Sequence, residues 1–369
     1  MTKVTKQQVE QALQQYVDPH LQVSLATTQS NRAISVQGDE ATGYTVKVHI
    51  TLGYPVDSVR ETMQDDIAQQ IATIPGVRQI EVLLDWSIQS KQRTQGLRGV
   101  KNIIAVASGK GGVGKSTTSV NLALALMQEG AKVGLMDADI YGPSQQMMLG
   151  VAAGRRPQPA GKDHFSPIEA HGLQSMSMGY MVTENTPLIW RGPMAGGALQ
   201  NMIKQTLWDD LDYLFVDMPP GTGDVQLTLS QQVPVCGAVI VTTPQDIALL
   251  DAQKGIEMFN KVEIPVLGVV ENMATHICSH CGHEEHVFGA GGGERIAKDY
   301  RVPLLGALPL QLQIREATDA GRPTVISDPA SKVAANYREI ARRLAAQLAQ
   351  QRGVEEVVQL FPTIEITAD

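Results

Sequence analysis

Ile103-Ile104-Ala105-Val106-Ala107-Ser108 runs straight into Gly109-Lys110-Gly111-Gly112-Val113-Gly114-Lys115-Ser116, and residues 117–130, TTSVNLALALMQEG, follow with the apolar spacing of a helix. The order is strand, glycine-rich loop, helix, and the loop satisfies G-x-x-x-x-G-K-[ST] in the setting that motif requires. Glycines let backbone N–H groups turn inward around phosphate oxygens, and the start of the helix adds its positive dipole end. Lys115 is expected to reach the β- and γ-phosphates of a nucleotide and Ser116 to ligate Mg²⁺, with Gly109, Gly111, Gly112, Val113, Gly114 and Thr117 lining the pocket.

Outward from this loop the pattern repeats. Asn102–Ala107, Lys132–Met136, Tyr213–Val216, Ala238–Thr242 and Val266–Val270 are short, nearly continuous apolar runs, with Pro303–Ala307 as an expected edge strand. Helical patterns lie between several of them. The fold class is therefore α/β, a mostly parallel sheet covered by helices on both faces. Upstream, residues 1–87 read as a helix, two alternating strands, a helix over about Val56 to Ile74 stopped by Pro75-Gly76, and a last strand from Val77 to Asp85. That order makes a small α+β domain. Residues 88–99, IQSKQRTQGLRG, read as a polar linker, 100–352 as the large domain, and 353–369 as an acidic–apolar tail.

Two carboxylate segments complete the phosphate site. Leu135-Met136-Asp137-Ala138-Asp139 ends a strand about 20 residues past the loop; Asp139 is the candidate for orienting an attacking water and Asp137 for the outer shell of Mg²⁺. Phe215-Val216-Asp217-Met218-Pro219-Pro220-Gly221 is a Walker B strand and switch turn, in which Asp217 holds Mg²⁺ and the Gly221 N–H can contact the γ-phosphate.

The totals narrow the partners. A net charge of −8 over 369 residues argues against nucleic acid, whose phosphates need clustered Lys and Arg. There is no apolar run of membrane-spanning length and no secretory leader pattern, so the expected location is the cytoplasm.

Cys278-Ser279-His280-Cys281-Gly282 has metal-ligand spacing: two thiolates on a tight turn converge on one ion, and the glycine lets the backbone curl. A redox pair is an alternative, although the segment does not open a helix as thioredoxin-type pairs do. So is a one-chain zinc site completed by His276, His280, His283 or His286. Two chains meeting on a two-fold axis would instead offer four thiolates, which suit a [4Fe–4S] cluster or a tetrahedral zinc. Spacing leaves these open. Cys236 stands apart, before a core strand, as a small buried residue.

Taken together, KGGVGKST, DADIYGPS, DMPPGTGD, the ENM…CSHCG loop and FGAGGGE resemble the Mrp/ApbC family of ATP-binding iron–sulfur cluster carriers, a deviant Walker A branch of the P-loop NTPases, over about residues 95–350. The resemblance implies a homodimer in which Lys110 reaches the partner's nucleotide and Asn272 reads adenine. It implies slow ATP hydrolysis with Lys110, Lys115 and Asp139 as catalytic groups. It implies a labile [4Fe–4S] cluster held by Cys278 and Cys281 of each chain, received from an assembly scaffold and donated to apoproteins. Residues 1–87, with Val17-Asp18-Pro19, look like the iron–sulfur assembly domain often fused ahead of this ATPase. Many such domains carry a cysteine where this chain has Thr51-Leu52-Gly53-Tyr54-Pro55, so a docking role is the expectation here. Two rivals come from other classes. A positioning ATPase that cycles on a membrane would use Arg338, Arg342, Arg343 and Arg352 on helix 331–352; a zinc-stapled scaffold would use the cysteines.

Overall fold

The computed structural model describes residues 3–28, 30–92, 96–181, 192–278 and 280–351, without the side chains of 192–195 and 224–225. Arg352 and the expected tail lie outside the described residues.

The first unit runs α1 (Lys6–Gln15), β1 (Asn31–Asp39), β2 (Gly43–Leu52), α2 (Arg60–Ala72) and β3 (Val77–Trp86), the order expected from its periodicities. Strand β2 pairs antiparallel with β1 and parallel with β3. Val46, Val48, Ile50 and Leu52 are buried while Lys47 and His49, between them, are exposed. That alternation gives the sheet one apolar face. Val9 and Leu13 of α1 and Met63, Ile67 and Ile71 of α2, each four apart, are buried in the same core.

The second unit is an eight-stranded sheet. Its members are β4 (Val100–Ala107), β5 (Val133–Asp137), β8 (Ile168–Ala170), β9 (Leu173–Ser177), β10 (Leu211–Asp217), β11 (Gly237–Thr242), β12 (Val266–Glu271) and β15 (Leu304–Ala307). A ribbon of β6 (Gln158–Pro159) and β7 (Phe165–Ser166), and another of β13 (His276–Ile277) and β14 (Glu284–Glu285), stand outside it. The spatial order is β15-β12-β11-β4-β10-β5-β9-β8, parallel throughout except for β8 against β9. Every residue of β5, β10 and β11 is buried, so both faces of the centre are covered. The helices are α3 (Lys115–Gln128), α4 (Gln145–Met148), α5 (Gly192–Gln205), α6 (Asp224–Gln232), α7 (Asp246–Lys261), α8 (Gly292–Tyr300), α9 (Leu312–Asp319), α10 (Thr324–Ser327) and α11 (Lys332–Ala349).

The described residues of the expected linker bond to β4: Ile88 is buried, Ser90 Oγ donates to the Lys101 carbonyl, and the Lys91 N–H donates to Asn102 Oδ1. Arg342 is buried and donates to Glu129 Oε1 at 2.5 Å, to Ser58 Oγ at 3.1 Å and to Glu339 Oε2 at 2.9 Å. Glu129, wholly buried at the end of α3, also accepts the Ser58 N–H at 3.0 Å and Oγ at 2.6 Å. One buried charge cluster thus joins the small unit to the far end of the helix that begins at the phosphate loop. Among the described residues no helix is long and apolar enough to cross a membrane.

Candidate nucleotide and cysteine sites

Strands β4, β5, β10 and β12 all deliver their C-terminal ends to one edge of the sheet, the place where parallel α/β folds bind ligands. Strand β4 opens there into the glycine loop, and Gly114, at φ +79°, is the N-cap of α3. A Cβ on Gly114 would lie 2.2 Å from Asn272 Nδ2, and one on Gly109 would lie 2.2 Å from the Asp251 backbone of α7. Gly109 requires glycine because the α7 backbone passes too close for a Cβ, and Gly114 because its φ is left-handed.

Asp217 and Asp137 are paired residues of adjacent strands, both fully buried. Lys115, itself buried, donates to Asp217 Oδ1 at 2.5 Å and to Ser116 Oγ at 3.1 Å. Asp137 accepts four donors: the N–H groups of Asp139, Ser144 and Gln145, and Ser177 Oγ. Burial, followed by the Asp217 charge, pushes its pKa up to about 7 against those hydrogen bonds. Asp139 is half-buried, its pKa is raised chiefly by burial, and its Oδ1 accepts the Gly142 N–H at 3.2 Å.

The cysteine pair sits on the hairpin between β13 and β14. The Cys278 N–H donates to the His283 carbonyl at 2.9 Å, and the Gly282 N–H to the Cys278 carbonyl at 2.8 Å, with Gly282 at φ +72°. Cys278 is half-buried, Cys281 exposed, and both thiols are free. Backbone hydrogen bonds from Cys281 and His280, then the Cys281 thiol, hold the Cys278 pKa below its usual range, as a thiolate ligand needs. His276 bonds Glu285 and His286 bonds the Ala274 carbonyl. Among the described residues no three His, Cys, Asp or Glu side chains are grouped to hold a metal. The hairpin of one chain thus presents two thiols, Cys278 and Cys281.

A family model described as NUBPL iron-transfer P-loop NTPase (ParA) matches residues 99–345, and one described as iron–sulfur cluster assembly protein matches residues 6–83. The chain belongs to the P-loop iron-transfer NTPase family. Curated relatives agree. The chain is 47% identical over 368 residues to an iron–sulfur cluster carrier protein of Haemophilus influenzae, covering 99% of this chain and 98% of that protein. It is 60% identical over 274 residues to one from Pseudomonas fragi, covering 73% and 96%. Among solved structures, a nucleotide-binding protein of Archaeoglobus fulgidus in complex with ADP is 33% identical, with a TM-score of 0.55, over 63% of this chain and 90% of that one.

With the P-loop iron-transfer NTPase fold in place, the residues singled out from sequence fall into two groups. Lys115, Ser116, Asp137, Asp139 and Asp217 meet at the strand ends. Lys110 is half-buried beside them and has no ion pair among the described residues. Two others hold bonds within the chain. The Gly221 N–H donates to the Ser108 carbonyl at 2.9 Å, so a γ-phosphate contact would require the switch turn to exchange that bond. Asn272 Nδ2 donates to the Val113 carbonyl at 2.9 Å, bracing the phosphate loop from β12. Cys236 is buried, as expected, and desolvation pushes its thiol up to about 11.

The oxygen donors fit Mg²⁺, a hard ion that takes one or two protein ligands beside phosphate and water. Ser116 and Asp217 would hold it, and a buried amide oxygen next to them, Gln145 Oε1, has no donor in the structure. Sequence reading passed over Gln145 and Gln226. Gln226 Nε2 donates to the Pro219 and Pro220 carbonyls and holds the switch turn. The only sequence signal for Gln145 was its place eight residues after Asp137 in the same loop.

In the small unit, Tyr54 lies in the turn after β2. It is buried, and its hydroxyl donates to Asp18 Oδ2 at 2.6 Å. Asp18, buried as well, accepts the His20 and Leu21 N–H groups.

Proposed function

We propose that this chain is an ATP-hydrolysing carrier in which two copies share one labile [4Fe–4S] cluster through Cys278 and Cys281 of each, and pass it to apoproteins. The observation that carries the reading is the two-thiol hairpin: its thiols are in contact, Cys278 is biased towards thiolate, and among the described residues no three metal-ligating side chains are grouped. Four thiolates from two chains complete the ligand set of a cubane cluster.

ATP turnover would use the strand-end site. Lys115 would reach the β- and γ-phosphates in place of Asp217, Asp217 and Ser116 would hold Mg²⁺, and Lys110 would neutralise charge on the partner's transferred phosphoryl group. Mg²⁺ supplies charge neutralisation on the phosphate oxygens. Asp139 orients the attacking water. Asn272 supports a link between the two sites, since it touches the phosphate loop and lies six residues before Cys278 on the same strand exit. The small unit, lacking a thiol in its turn, would serve as a docking module for recipients or for the assembly scaffold.

The test is anaerobic transfer to an apo-enzyme that needs a [4Fe–4S] cluster. Reconstituted wild-type protein should restore its activity, and Cys281→Ala should not. Equal transfer by the variant would refute the assignment.

A further inference from the structure

Gln145 is the residue whose hydrogen bonds are half explained. Its side chain is 1% exposed. Nε2 donates to Asp217 Oδ2 at 2.8 Å and to the Ser116 carbonyl at 3.1 Å, while its own backbone N–H donates to Asp137 Oδ2 at 3.0 Å. Both amide hydrogens are used, and the amide oxygen has no partner. The orientation of the amide is fixed by chemistry: turned over, its oxygen would face a carboxylate and a carbonyl, two acceptors.

The amide stands beside the residues that would hold the metal. Asp217 divides its oxygens, Oδ1 to Lys115 and Oδ2 to Gln145, and Lys115 also touches Ser116 Oγ. When Lys115 leaves for phosphate, Oδ1 is freed while Oδ2 stays held. A buried acceptor without a donor is destabilising, and any donor that enters relieves the cost. A water bound to Mg²⁺ beside Ser116 and Asp217 is such a donor.

We propose that Gln145 is the positioning residue of the metal site: it aims Asp217 and Ser116 through its amide nitrogen and accepts a hydrogen bond from a metal-bound water through its oxygen. This rests on the nucleotide site proposed above. It assigns to the loop after β5 a dependence on metal that is separable from nucleotide affinity itself.

The experiment titrates a fluorescent ADP analogue onto full-length protein in EDTA and then at stepped MgCl₂, for wild type, Gln145→Met and Gln145→Glu. In EDTA any loss of affinity by the variants should be smaller than their loss at saturating MgCl₂. The Mg²⁺ concentration for half-maximal tightening should rise about tenfold or more, and further for Gln145→Glu, whose carboxylate opposes Asp217. The Mn²⁺ spectrum of the ADP complex, by electron paramagnetic resonance, should broaden in both. An unchanged Mg²⁺ midpoint would overturn the proposal, and so would equal loss of binding with and without metal. If Gln145→Met does not fold, Gln145→Glu, of the same size, carries the test. Failure of the wild type to bind the ADP analogue would instead sink the nucleotide site on which this rests.

Discussion

Replacing Glu129 by Met removes the acceptor on which the seam between the two units converges. Arg342 and Glu129 approach to 2.5 Å with side chains 8% and 0% exposed. At an effective dielectric of about 20 that attraction is roughly 6–7 kcal/mol before solvation. Stripping water from both ions costs several kcal/mol each, so the pair as a whole is close to break-even. Removing one partner leaves the other charge buried, at about 3–5 kcal/mol. Arg342→Met should cost that much, and Glu129→Met somewhat less because Arg342 keeps its Glu339 partner, read as the shift in the urea midpoint times the slope. The double variant keeps no stranded charge. It loses the acceptor for the Ser58 N–H and Oγ, and should cost only about 1–3 kcal/mol. The coupling energy is then about 3 kcal/mol or more. Tryptophan fluorescence reports both sides, because Trp86 belongs to β3 and Trp208 precedes β10. Single variants that cost under about 1 kcal/mol, or costs that simply add, would refute the buried-pair reasoning.

Other outcomes follow from the same geometry. Lys115→Met should abolish ATP turnover while leaving iron per chain after anaerobic reconstitution unchanged; loss of both together would show the two sites are not separable. Burial pushes the Glu339 carboxyl up, but the hydrogen bond and charge of His20 and then of Arg342 outweigh it and hold the pKa down, from 4.5 to about 2. A folded-state value below the unfolded one means this contribution is whole above about pH 4.5 and is lost as pH falls towards 2. Glu339→Gln should therefore flatten the acid limb of a pH–stability profile in that window. Tyr54→Phe leaves Asp18 Oδ2 without its hydroxyl donor and should lower stability by about 1–3 kcal/mol by calorimetry, with ATP turnover unaffected.

The phosphate loop and the strands around it were legible because their signals are local. A glycine-rich turn between an apolar run and a helical pattern occupies 28 consecutive residues, and β-branched strands announce themselves. The pair β8–β9 was not legible. Leu173-Gln174-Ser175-Met176-Ser177 has little intrinsic strand preference and is a strand because β5 offers it a parallel edge. Nor was the seam, since Ser58, Glu129 and Arg342 lie up to 284 residues apart and each alone reads as a surface polar residue. Gln145 was missed for a similar reason: its role comes from Asp217, 72 residues away. The cysteine pair was found by spacing, whereas the bonds of His276 to Glu285 and of His286 to the Ala274 carbonyl appear only in the fold.

The central claim is that two cysteine pairs from two chains make one cluster site. Iron and acid-labile sulfide, measured together with native mass on anaerobically reconstituted protein, test it most directly. The account predicts one [4Fe–4S] per two chains in wild type and none in Cys278→Ala, with the dimer as the iron-bearing species. A full complement of cluster on single chains, or in Cys278→Ala, or zinc in place of iron, would contradict it.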